Sequence, residues 1–225
     1  MSSATETGRD LEGLKLDLTS RIGVMLIKPD AVRHGVEPQI LQHLQDTIHG
    51  ENSGRLQGAF RILSIDESGI PLIYPSLPKD LYPTVAVYLS SGPSTLAAFV
   101  GDGTSSLERR MCDLKGPRML DWSDEELRGI GKDIRRGIRY LLPVSGTEES
   151  YASIIENIRR RRIDPTVTRF TDDQYSLACQ NLVHSPEGAD ELIALLDLVQ
   201  GVPLDVVVGP ELAAMVMDYR RLRGE

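Results

Sequence analysis

Cysteine is scarce in this chain of 225 residues, which holds only Cys112 and Cys179. Such a pair makes neither a disulfide framework nor a metal-ligand pattern, and it fits a reducing cytoplasm. Long apolar runs are missing as well. None approaches the roughly 20 residues that span a bilayer, so no membrane partner is expected. The opening "MSSATETGRD" has no apolar segment after a basic end, unlike a signal peptide, and residues 1–19 read as a disordered tail. An excess of basic charge is also lacking. A formal net charge of −8 argues against a nucleic-acid binder working through a basic surface. Any polyanionic substrate must be met by a local cluster of cations. Neither an internal repeat nor a low-complexity segment occurs.

What is present alternates between strand and helix signals. "IGVMLIK", Ile22–Lys28, is an apolar run of strand length that Pro29 terminates. A helix follows, with Pro38 in its first turn and Ile40, Leu41, Leu44 and Ile48 at helical spacing. "LQGAFRILSI", 57–66, reads as a second strand, and Ile70–Ser91 as short helical pieces joined by proline-rich turns. "STLAAFVG", 94–101, is a third strand, and "ACQNLV", 178–183, a short fourth. Between them the chain turns polar and helical, with one helix starting at a Ser123 cap with Glu126 three residues on. A second, "GTEESYASIIENIRRRR", sets Ile154, Ile155 and Ile158 on one side. "PEGADELIALLDLV" buries Leu192, Ile193, Leu195, Leu196 and Val199. One strand and one helix are expected in 201–225. Strand–helix–strand twice over predicts a ferredoxin-like βαββαβ sandwich of the α+β class, with a four-stranded antiparallel sheet and a mostly helical insertion.

Three places could carry chemistry. Lys28 ends a buried strand and Pro29 stiffens the turn beyond it, which suits a fixed point charge for phosphate. Taken singly, such a lysine is more often a strand cap. His184 closes a short apolar strand just before a helix start, where backbone N–H groups favour an anion. A neutral imidazole with one free nitrogen is a competent nucleophile toward phosphorus. Arg169 follows the proline-led loop "DPTVTRF" and could engage phosphate bidentately or stand as a solvated charge.

Together these pieces resemble the nucleoside diphosphate kinase family. "IGVMLIKPDAVRHG" is similar to that family's first strand and lysine-proline-aspartate-alanine motif. "VYLSSGPSTLAAFVG" resembles its serine-glycine-proline turn, "PTVTR" the end of its long surface loop, and "NLVHSPEGADELIALL" its asparagine-x-x-histidine segment with the closing helix. The resemblance covers most of residues 20–103 and 165–200. It implies that His184 is the phosphorylated nucleophile, that Lys28 and Arg169 hold phosphates, and that Asn181 contacts the sugar hydroxyl. Tyr82 falls on the position that stacks on the base, and Tyr74 on a tyrosine near the histidine. A helix arginine that binds phosphate is Arg110 if the insertion follows that helix, or Arg159 if it precedes it.

The implied activity is ping-pong transfer of the γ-phosphoryl group from ATP or another nucleoside triphosphate to a diphosphate acceptor, with Mg²⁺ arriving on the nucleotide phosphates. A homo-oligomer is implied too. The expected organisation is a kinase-like domain at 20–200, a helical insertion at about 104–164 and a C-terminal extension at 201–225. Two departures stand out. Pro186 replaces the family's serine, and Leu195 falls where the family has a glutamate that orients the histidine ring. Glu191, one turn earlier, is the substitute the sequence offers.

Overall fold

A computed structural model of the protein describes residues 10–51, 53–116, 137–141 and 181–224. The element order is α1 (Leu11–Arg21), β1 (Ile22–Ile27), α2 (Pro29–Arg33), α3 (Glu37–Gly50), β2 (Arg55–Ile62), α4 (Ile70–Ile73), α5 (Tyr82–Leu89), β3 (Ser94–Val100), α6 (Leu107–Lys115), β4 (Val183–His184), α7 (Ala189–Leu196), α8 (Leu204–Val208) and α9 (Pro210–Arg223).

The strands form one sheet in the order β2-β3-β1-β4. Every pairing is antiparallel, with β1 central between β3 (Ile22↔Val100 through Ile27↔Thr95) and β4 (Leu26↔His184). This is the ferredoxin-like arrangement the strand and helix order predicts. Side chains alternate along a strand, and here both faces are covered. Ile22, Val24, Leu26, Leu96 and Ala98 face one apolar cluster, while Met25, Ile27, Ala97 and Phe99 face the other. α3 and α6, the two crossover helices, lie on the second face through Ile40, Leu44, Ile48, Leu107, Met111 and Leu114. The first face is roofed by α1, α4, α5, α7, α8 and α9.

Several expectations are corrected. The anticipated tail is helical from Leu11, capped by the Asp10 carboxylate, which accepts the Gly13 N–H at 2.6 Å. Leu14 and Leu18 recur every fourth residue and are buried, each stabilising by about 1.5–3 kcal/mol. The second strand begins and ends earlier than 57–66, because Asp66 caps a 3₁₀ turn at Glu67–Gly69. α6, assigned by sequence to the insertion, packs on β1 with Met111 against Gly23. The valine-rich strand expected in 201–225 is the helix α8, since Val207 and Val208 fill the core beneath it and Gly209 stops it. Packing overrides β-propensity there. Around 137–141 the structure has a 3₁₀ turn, Ile138–Leu141, where a longer helix is expected. The helix expectation for 146–162, with Arg159, and the loop arginine Arg169 lie outside the described residues.

Candidate active site at the end of β1 and β4

Proline at position 29 ends β1 and starts α2 at once, so Lys28 is held on two rigid elements. Its side chain is fully buried. The ammonium donates to the Asn181 amide oxygen and sits 5.7 Å from the centre of the Tyr88 ring. The Lys28 N–H also donates to the Leu182 carbonyl at 2.8 Å. Sequence reasoning named Lys28 and Asn181 separately; the fold brings them into direct contact.

β4 is only two residues long for a local reason. Leu182 has φ +67°, a left-handed backbone that costs an L-residue about 1–2 kcal/mol and cannot continue a strand. The conformation is held by Asp30, also fully buried, whose Oδ2 accepts the Leu182 N–H at 2.9 Å. The other oxygen, Oδ1, accepts the Tyr88 hydroxyl at 2.5 Å. Asp30 and Tyr88 are site residues the sequence reading missed. The signal was there for Asp30, an acid placed directly after a strand-ending proline; for Tyr88 it was only the neighbourhood of the serine-glycine-proline turn.

His184, immediately beyond, pairs with Leu26 and is half-buried. The Tyr74 ring meets it edge-on, with centroids 5.1 Å apart and planes at 68°, the favoured aromatic geometry. Tyr82, in contrast, opens α5 and packs against the apolar core on the first face. Arg110 points elsewhere. Both its Nε (2.7 Å) and Nη2 donate to the Glu51 carboxylate at the end of α3. At about 100° per residue, Arg110 lies about 200° around α6 from both Glu108 and Cys112, two of the residues that reach the histidine loop.

That loop, Ser185–Gly188, is gripped by α6. Cys112 Sγ donates to the Pro186 carbonyl at 3.2 Å and accepts the Ser185 hydroxyl at 3.4 Å. Lys115 Nζ reaches the Ser185 carbonyl at 3.4 Å and Glu187 at 3.6 Å. Glu108 accepts the Gly188 N–H at 3.1 Å. Burial raises the pKa of both the Cys112 thiol and the Glu108 carboxyl above their ordinary values, so the thiol keeps the proton it donates. Glu191 accepts the Glu187 N–H at 2.8 Å, and Leu195 lies wholly in the apolar core.

No protein-family model matches the sequence, and no curated protein does. Solved structures do. The nucleoside diphosphate kinase of Aquifex aeolicus, in an orthorhombic crystal form, is similar with a TM-score of 0.50 at 14% identity, over 80% of this chain and 94% of that one. The fold is that of the nucleoside diphosphate kinases. A halophilic nucleoside diphosphate kinase from Halobacterium salinarum in complex with CDP matches at a TM-score of 0.37 and 18% identity, over 71% of this chain and 98% of that one. Within the nucleoside diphosphate kinase fold, the gathered side chains lie where β1 ends beside β4. No helix among the described residues is long and apolar enough to cross a membrane.

Proposed function

We propose that this chain is a nucleoside diphosphate kinase-like phosphotransferase, working in the cytoplasm as a homo-oligomer. It moves the γ-phosphoryl group of a nucleoside triphosphate to a (deoxy)nucleoside diphosphate or related acceptor through a phosphohistidine. The observation that carries this reading is the junction of a buried lysine, Lys28, and Asn181 with a strand-fixed histidine, His184, braced by Tyr74.

In the first half-reaction an imidazole nitrogen of His184 attacks the γ-phosphorus. The bond to the β–γ bridging oxygen breaks, and the diphosphate leaves with that electron pair. In the second, a terminal oxygen of the acceptor diphosphate attacks the same phosphorus and the imidazole leaves. Lys28 offsets charge on the transferring group, and fixed cations act most strongly where water is excluded. Asn181 orients both Lys28 and the sugar hydroxyl. Arg169 is assigned the outer phosphates on the resemblance of its loop alone. Among the described residues no group of three or more His, Cys, Asp or Glu could hold a metal ion. Mg²⁺ would arrive on the nucleotide phosphates and neutralise their charge there.

A second reading, a nucleotide-binding protein with weak or no transfer activity, draws on Pro186 and Leu195, which replace a hydroxyl and a carboxylate by apolar groups. One experiment separates the two. Incubation with γ-labelled ATP and Mg²⁺ is expected to leave acid-labile, alkali-stable label on the wild type and none on His184→Ala. Lys28→Met is expected to label about 10²-fold more slowly. An unlabelled wild type that still binds nucleotide supports the second reading.

A further inference from the structure

α6 presents three polar side chains, Glu108, Cys112 and Lys115, at spacings of four and three, which stack them along one face of a helix. They meet the loop after His184 in antiparallel register. Lys115 takes the carbonyl of Ser185, Cys112 that of Pro186, and Glu108 the N–H of Gly188. The Ser185 hydroxyl, fully buried, closes the set by donating to the Cys112 sulfur, and Lys115 also meets the Glu187 carboxylate. Backbone groups of three of the four loop residues, Ser185, Pro186 and Gly188, are thus each read by a side chain from one neighbouring helix. α7 adds the Glu191 contact to Glu187 N–H, while its own N-cap, Gly188, offers no side-chain cap.

The position of the loop fixes the position of the histidine, because Ser185 follows it directly and β4 supplies just two residues of ladder. We propose that the Glu108–Cys112–Lys115 face of α6 is the device that aims the His184 ring. These three are positioning residues, and the proposal rests on His184 being the phosphoryl acceptor. Cys112 is the centre of the device, since its thiol donates to one loop residue and accepts from another. Replacing it with valine enlarges the side chain by about one methyl group and removes both loop contacts. Serine keeps one donor and one acceptor.

The test uses the full chain with ¹⁵N-labelled histidine. It holds four histidines, and the His184 ring signals are assigned by their loss in His184→Gln. Cys112→Val is expected to change the ratio of the two His184 ring tautomers and to lower kcat for phosphoryl transfer by about 10–100-fold, with KM for the nucleotide within about twofold. Cys112→Ser should stay near wild type in both readouts. Lys115→Met, which removes the contacts to Ser185 and Glu187, serves as the second variant and should show the same ring change. Unaltered His184 tautomers in folded Cys112→Val and Lys115→Met overturn the proposal, as does a Cys112→Ser as damaged as the valine variant. Should wild-type protein take no label from ATP, the transferase reading fails, and the ring spectra alone still decide the aiming role.

Discussion

Replacing Asp30 with alanine removes a carboxylate that holds two donors at once in a fully buried place. The Leu182 N–H and the Tyr88 hydroxyl, at 2.9 and 2.5 Å, both lose their acceptor. A buried donor left unsatisfied costs about 1–3 kcal/mol, so the pair should cost about 4 kcal/mol. One term runs the other way. Freed from its anchor, Leu182 can abandon φ +67° and recover about 1 kcal/mol of backbone strain. The orphaned donors win, leaving a net loss of about 3 kcal/mol. For a chain of this size each kcal/mol moves Tm by about 2–4 °C, so the expected fall is about 6–12 °C in a thermal melt. Tyr88→Phe deletes one donor and leaves the other bond intact, and should cost about 1 kcal/mol. A melt for Asp30→Ala within about 2 °C of wild type, with an unchanged denaturant slope, refutes the view that Asp30 pins the backbone ahead of His184.

Two further outcomes follow from the ion pairs and from Tyr219. Arg110→Ala breaks a partly exposed pair with Glu51, so chemical denaturation should register a loss below about 1 kcal/mol; loss of histidine labelling would show that Arg110 serves phosphate after all. Burial and the adjacent Asp190 push the Tyr219 phenol from its ordinary 10 up to about 12. The folded state therefore keeps a proton that the unfolded chain gives up. That contribution to stability is complete below pH 10 and lost as pH rises toward 12. Ultraviolet titration should find a tyrosine ionising near pH 12 that Tyr219→Phe removes, and the same variant should flatten the alkaline decline.

Much of this is legible in the residues because it is local. The Lys28–Pro29–Asp30 sequence states where a strand stops and a helix starts, and the spacing of Leu192, Ile193, Leu195 and Leu196 states which side of α7 is buried. Leu14 and Leu18 carried the same kind of signal after Asp10; the polar opening residues obscured it. Non-local features could not be read. Cys112 meets residues 73 and 74 positions away, and nothing in "LERRMCDLKGP" announces a partner there. The left-handed Leu182 was equally hidden, since a leucine gives no hint of positive φ. The geometry that shortens β4 is imposed by Asp30, 152 positions earlier. Arg110, chosen by its place in the sequence, pairs with Glu51, a partner the sequence does not announce.

The last helix has a consequence for how the chain acquires its structure. α9 packs against α1, and Arg21 donates to Glu211 at 2.7 Å across 190 positions. Tyr219, Arg220 and Arg223 fasten the same helix to Asp190 and Asp197 on α7 and at its end. Contacts of such sequence separation form slowly because a long loop must close first. A nascent chain emerging from the ribosome has Leu14 and Leu18 ready, yet α9, which packs against their helix, follows some 190 residues later. The first helix therefore waits with part of its apolar side open until α9 has been made, an interval in which a chaperone has something to hold.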